Sequence, residues 1–395
     1  MASVIQSYNY SISMTYVLNN KEYEILDESI KNLITSYDYE TKNMPIIYIG
    51  IKIKTDLFNI MVKNANDGDI ILSVYRYIEK GDTINKRTPY IRSSFSYFMT
   101  SDLNYNKTLE KSAETTNSYS VCTIGLYDMT LINENYINAN TIIKNSDMLS
   151  IVHNFTSHMN MIIEPFSNNE KISLCVIPPI NTLTSLLDYL NRVHNFYNTS
   201  YRYFRDFNKT YLLSTEGNSV ISSEEDYSTI IIRIMDTVEI ETKILSMEID
   251  RTQHAYIIYI DANFTNMNID RLKDKRYNKI IGIDSYGNTN QEDLNVPKNH
   301  VYQERCTYQR LPYDNIEYNK VMKDNIENTS IILNINKTEI DSALLTPNKE
   351  YLVQNYSSYD EYNGNYLLAY KKEIIVKQDD RYISNTLFGL RKIMK

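Results

Sequence analysis

Between Pro178 and Ser214 the chain changes its periodicity twice, and that switch limits what it can fold into. Ile180, Leu183, Leu186, Leu187, Leu190 and Val193 recur at helical spacing, leaving one apolar stripe to bury. The spacing predicts a helix of about three to four turns over residues 180–194. Its start is set by Pro178-Pro179, which is expected to halt whatever precedes it, with Asn181 or Thr182 as N-cap. A turn is expected at 195–200. The aromatic-basic run Tyr201-Arg202-Tyr203-Phe204-Arg205-Asp206-Phe207, followed by Tyr211-Leu212-Leu213-Ser214, then reads as extended, alternating strand. Taken alone, the segment also fits any ordinary helix–turn–strand unit of a hydrophobic core.

The remainder is richer in strand signals. Alternation or apolar runs predict strands at 7–18, 21–25, 44–51 and 70–78, with turns at Asn19-Asn20 and Asn66-Asp67-Gly68-Asp69. A short helix is expected at 54–64, with Thr55 as cap and Leu57, Ile60 and Met61 facing inward. One helix tucked among strands is the pattern of a small β-barrel or sandwich with a plug. Polar residues take over at 100–118, a first boundary. Beyond it come short strands near 121–132 and 172–177, with a helix near 148–161. The acidic stretch 217–226 marks a second boundary, followed by strands at 227–235, 238–249 and 254–260. Residues 263–328 read as a long, polar, mostly irregular insertion, a length unusual in a compact domain unless it packs on a neighbour or carries function. Strands return at 330–335, 350–356, 366–376 and 383–390. At 395 residues the chain exceeds one ordinary core and calls for about two to four domains.

Composition excludes several classes. The apolar share of 42% supports cores, yet no run approaches the roughly 20 residues of a membrane helix, so no membrane segment is expected. The start, Met1-Ala2-Ser3-Val4-Ile5-Gln6, lacks the basic and apolar regions of a secretory signal. A formal charge of -8 argues against a dedicated nucleic-acid binder. Cys122, Cys175 and Cys306 form no CxxC pair and no disulfide framework, which favours folding in a reducing cytoplasm. The 36 tyrosines, against 10 phenylalanines and no tryptophan, are spread along the whole chain. Codon bias of an AT-rich genome accounts for them better than a stacking surface for sugar or nucleic acid.

Nothing assembles into a catalytic signature. His153 and His158 are five apart, off a common helical face, and His194, His254 and His300 show no metal-ligand spacing. No GxSxG elbow and no GxxxxGK loop is present, and the chain has only 9 glycines. Among 49 acidic residues no carboxylate pair stands out. No catalytic, cofactor-binding or metal-ligating residue is therefore assigned, no cofactor is expected, and the chain is expected not to be an enzyme.

The end of the chain adds a second pattern. Leu345-Thr346-Pro347-Asn348-Lys349-Glu350-Tyr351 leads to Glu361-Tyr362-Asn363-Gly364-Asn365-Tyr366-Leu367-Leu368, and the close is Leu387-Phe388-Gly389-Leu390-Arg391-Lys392. Asn363-Gly364 is sound turn chemistry before a strand. In order and spacing this close, the 178–214 segment, and the opening strands with the helix near Leu57 together resemble the hub proteins of phage tail baseplates. The resemblance covers three patches and implies a mainly β fold with α+β elements. It implies two tube-like barrels per subunit: 1–105 as the N-terminal barrel, 106–225 as a middle α+β domain, and 226–395 as the second barrel, with the insertion at about 263–328. It implies a homotrimer whose six barrels form a pseudo-sixfold ring, joining the tail tube protein to a spike or tail-tip protein among other baseplate proteins. DNA would be only transient cargo through the lumen, and the protein would sit in the virion tail after assembly in the host cytoplasm. Two rival readings are a tail-tip adhesin holding cell-wall carbohydrate and a cell-wall-cutting tail enzyme; the scattered tyrosines weigh against the first, the missing motifs against the second.

Overall fold

The computed structural model describes residues 9–40, 45–65, 67–77, 91–99, 119–194, 196–197, 201–206, 209–214, 229–235, 247–250, 255–261, 265–269, 279–283, 289–293, 301–305, 331–338, 345–347, 349–355, 362–379 and 381–393. The chain opens with β1 (Asn9–Leu18) and β2 (Lys21–Ile25), a hairpin whose tight turn places Asn19 and Asn20 at φ of 50° and 62°. Asparagine tolerates that left-handed backbone, which matches the twist of the two strands. A single 3-10 turn, Asp27–Ser29, leads to β3 (Ile30–Asp38), β4 (Ile46–Lys54), α1 (Thr55–Lys63), β5 (Asp69–Tyr77), β6 (Ile91–Met99) and β7 (Tyr119–Asp128). These strands join antiparallel in the order β3-β4-β7-β6-β5-β1-β2.

Their inner face carries Ile12, Met14, Leu33, Ile49, Ile51, Leu72, Val74, Ile124 and Leu126, all buried, and α1 closes one end with Met61 buried and Leu57 and Ile60 half-buried. Thr55 is not the cap that its sequence position suggested. The N-cap is Lys54, without a side-chain hydrogen bond, and the Thr55 hydroxyl lies 3.1 Å from that of Ser120 on β7.

Asp128 ends β7 and caps α2 (Met129–Asn135) by accepting from the Thr130 N–H at 2.8 Å, so the strand expected over 121–132 finishes as a helix. Then come β8 (Tyr136–Ser146), α3 (Met148–Thr156), β9 (Met161–Ile163), β10 (Ile172–Thr182), α4 (Leu183–His194), β11 (Tyr201–Asp206) and β12 (Lys209–Ser214). Pro178-Pro179 does not halt β10. The strand runs through both prolines, and its pairing with β8 slips between Ile177 and Ile180 and again before Thr182. Proline offers no N–H to a ladder, and such an irregularity is where a strand tolerates it. The helix therefore starts three residues later than its apolar stripe, with the Thr182 hydroxyl accepting from the Ser185 N–H at 3.3 Å. Leu183, Leu186, Leu187 and Leu190 are fully buried against β10 and β11, forming a second core with Ile151, Val152, Phe196 and Tyr197.

The third segment holds β13 (Thr229–Met235), β14 (Met247–Asp250), β15 (Ala255–Asp261), β16 (Thr265–Ile269), β17 (Lys279–Ile283), β18 (Thr289–Asp293), β19 (Val301–Arg305), β20 (Ile331–Thr338), β21 (Glu350–Asn355), β22 (Gly364–Gln378) and β23 (Arg381–Lys392). β13 pairs in parallel with both β15 and β21. Ile230, Ile232, Ile258, Tyr351, Val353, Tyr366, Phe388 and Leu390 fill a third core. Of the insertion expected at 263–328, the described residues are four short strands, and the rest lies outside them. β16 pairs with β20, and β17 forms a small sheet of its own with β18 and β19. Five-residue strands such as Thr-Asn-Met-Asn-Ile carry too little apolar alternation to stand out in sequence. Of the strand expected at 238–249, only residues 247–249 lie within the described residues, as part of β14, and both polar boundary stretches lie outside them.

One strand joins the two ends of the chain. β22 pairs with β21 and β23 and, further along, antiparallel with β3, so the N-terminal and C-terminal strands share a 15-stranded sheet. Ile375 and Tyr382 of this C-terminal hairpin are buried in the first core, beside β1. The fold is mainly β, with four α-helices among the described residues.

Candidate functional site

β11 is buried on both faces, in place of the alternation expected for the aromatic-basic run. Tyr201 and Tyr203 pack in the second core with α4, while Phe204 packs with Tyr211 and Leu213 in the third. The β11–β12 hairpin is thus a wall between two cores, and a strand so placed has no solvent side to carry its polar residues.

Those polar residues form a buried ionic junction instead. Asp206 accepts a hydrogen bond from the Tyr39 hydroxyl at 2.7 Å and one from Lys371 Nζ at 3.1 Å. The same ammonium donates to the Leu345 carbonyl at 3.0 Å and stands 5.1 Å from the centre of the Tyr37 ring. Two residues along β22, Glu373 accepts from the Tyr10 hydroxyl of β1 at 3.0 Å. Lysine and glutamate two apart on one strand share a face, so β22 sends both charges into the protein. Burial raises the Tyr37 and Tyr39 hydroxyls well above their ordinary pKa, and the Asp206 carboxylate pushes both in the same direction.

A second group of charges surrounds this one. Arg205 donates to Glu134 of α2 at 2.8 Å and lies 4.0 Å from Asp128. Arg391 of β23 pairs with Glu40, just past β3. Arg202 is buried; desolvation and the Arg391 charge lower its pKa to about 10, against the pull of Glu40 and Glu164. Glu164 accepts from the Ser214 N–H at 2.7 Å. Residues near the beginning, middle and end of the chain are therefore bound to one another through charges removed from water. Removing any one partner leaves an uncompensated charge, so this arrangement fixes geometry more than it adds stability.

The aromatic-basic run marked one side of the junction in sequence. Lys371 and Glu373 were missed, although the charged run Lys371-Lys372-Glu373 between the apolar stretches of β22 was a usable signal. Of the histidines, His153 and His158 belong to α3 and the turn after it, and His254 and His300 lie outside the described residues, as does Cys306. His194 Nε2 is 3.5 Å from Cys175 Sγ. Burial raises the Cys175 thiol and lowers His194 to about 4, so the pair is neutral at pH 7, unlike a thiolate–imidazolium dyad. Among the described residues no three His, Cys, Asp or Glu side chains gather as metal ligands.

Many tyrosines are core residues. Tyr97, Tyr197, Tyr351 and Tyr366 are buried, with hydroxyls donating to the carbonyls of Met61, Glu164, Thr346 and Tyr362 at 2.6–2.8 Å. They serve as phenylalanines whose polar tip is satisfied locally.

The fold has solved counterparts over nearly its whole length. A tail protein from Neisseria meningitidis MC58 is similar at a TM-score of 0.55 and 10% identity, covering 97% of each chain. The 43 kDa tail protein of prophage MuSo2 from Shewanella oneidensis is similar to the same extent, again at 0.55, 10% and 97% of each chain. No curated protein matches by sequence. The family described as Bacteriophage PBS1 gene 109 protein matches residues 1–393, and this chain belongs to that family.

Proposed function

We propose that this chain is a structural protein of a phage tail, acting as the central hub that joins the tail tube to a spike or tail tip. The supporting observation is a fold shared with two tail proteins over 97% of both chains, in a member of a phage protein family. In this reading three copies close a ring, and residues 1–105 and 226–395 each supply a tube-like barrel joined by the middle region 106–225. β7 and the β22–β23 hairpin reach across those limits to complete the first core. A threefold ring with two barrels per subunit presents six barrels to a sixfold tube and three equivalent seats to a spike.

The buried junction has a part in this role. A ring that transmits force between tube and spike needs its segments held in fixed register, and the Asp206–Lys371, Glu373–Tyr10 and Arg391–Glu40 contacts tie its segments together. No catalysis is required. The buried tyrosines favour this reading over an adhesin, because their rings are spent on cores. Labelling purified tails with gold-tagged antibody to this chain tests the placement. Label at the tube's distal end on the axis is expected; label along fibres or the tube wall would overturn it.

A further inference from the structure

β8 and β10 form a two-stranded ribbon whose inner face, with Ala139, Cys175 and Ile177, lies on the second core. Its outer face carries Ile142, 60% exposed, directly opposite Val176, 50% exposed, with Tyr136 at 70% further along β8. Cross-strand apolar pairs ordinarily face a core, and a contiguous exposed group of this kind marks an interaction surface. Among the described residues β8 is laddered only to β10, leaving its other side open to a strand. Within the two strands Lys144 is the one charged residue, and it is exposed; the exposed Lys171 stands just before β10, next to Glu170 and near Asp147.

The opposite chemistry stands at the end of the large sheet. β2 is laddered only to β1 among the described residues. Its exposed side chains are Lys21, Glu22 and Glu24, followed by Leu26, 57% exposed, and the exposed Glu28, so acids outnumber the one lysine. Acids flanking one exposed leucine complement lysines flanking an exposed isoleucine–valine pair. Two unlike patches at separate places on one chain are complementary between copies, not within a self-matching patch. Such patches suit copies joined head to tail, the kind of contact that closes the threefold ring proposed above.

We propose that the β8–β10 ribbon is the docking face for the β2 edge of a second copy of this chain. β2 lies beside β8 as an added strand, Leu26 covers Ile142 and Val176, and Glu22 and Glu24 face Lys144 and Lys171 of the neighbour. Strand addition at a sheet edge provides main-chain hydrogen bonds, while the side chains select the partner. This inference rests on the ring reading above and names the surfaces that build it.

Sedimentation velocity on the purified full chain tests it. The wild type is expected to associate into trimers. Ile142→Glu with Val176→Glu, and separately Glu22→Lys with Glu24→Lys, should each weaken association about tenfold or more. All four positions are exposed or edge sites, so melting temperatures should stay unchanged. Adding Lys144→Glu and Lys171→Glu to the β2 variant should restore the trimer. A wild type monomeric at every concentration, a β2 variant that associates like wild type, or ribbon variants that do so would each overturn the proposal. Three copies in intact tails together with unaffected variants would remove only this choice of surfaces, whereas a copy number other than three would remove the ring itself.

Discussion

Lys371 Nζ lies 3.1 Å from an Asp206 carboxylate oxygen, both side chains are 1% exposed, and 165 positions of sequence separate them. The pair joins the wall between two cores to the strand shared by both ends of the chain. Its desolvation offsets much of its Coulomb attraction, so the consequence of losing one partner exceeds the worth of the pair.

Asp206→Ala should therefore cost about 3–5 kcal/mol, because Lys371 is left charged and buried. The double variant Asp206→Leu with Lys371→Met should recover much of that loss. Urea unfolding of Asp206→Leu, Lys371→Met and the double gives the coupling directly. Additive losses would show that the two residues act independently.

Leu187 is fully buried on α4 among Leu183, Leu186 and Leu190. Leu187→Ala should cost about 2–5 kcal/mol, from lost transfer energy and the cavity left behind. Leu187→Asp should be worse, since it buries a charge without a partner. An unchanged melting temperature in the alanine variant would contradict the packing of this helix.

His194 is held neutral by burial, with its pKa lowered from 6.5 to about 4. The unfolded chain takes up a proton near pH 6.5, while the folded chain resists until about pH 4. The stability tied to the neutral ring is thus complete above pH 6.5 and is lost as pH falls toward 4. Melting temperature should drop more steeply over that interval for wild type than for His194→Gln. Parallel curves would show that His194 titrates as freely in the folded chain as in the unfolded one.

Purified protein incubated with peptidoglycan should release no muropeptides above a buffer control, as expected of a structural subunit. The Cys175–His194 pair offers no thiolate for peptide cleavage either. Muropeptide release that persists through repurification would overturn the structural reading.

The helix at Leu183, Leu187 and Leu190 was legible because its stripe has a single period and a hydroxyl cap at Thr182. β11 was legible as a strand, but its burial was not, since alternation assumes one wet face and this strand has none. β3 escaped notice because Lys31, Asn32, Thr35 and Ser36 interrupt its apolar residues, and β8 because Asn138, Asn140 and Asn145 interrupt its own. Pro178-Pro179 misled because a register slip absorbs both prolines. The junction itself lay beyond local pattern. Tyr39, Asp206 and Lys371 meet only once three distant segments are in place, and no periodicity encodes such a meeting.

The central claim is a threefold hub on the tail axis. Cryo-electron microscopy of intact tails, reconstructed without imposed symmetry at the tip, counts the copies and locates them. The account predicts three copies in one ring around the axis, with the two strand-rich segments of each copy alternating at roughly 60° steps as pseudo-sixfold symmetry demands. Six copies, or copies placed off the axis as a fibre, would contradict it and leave the adhesin reading in its place.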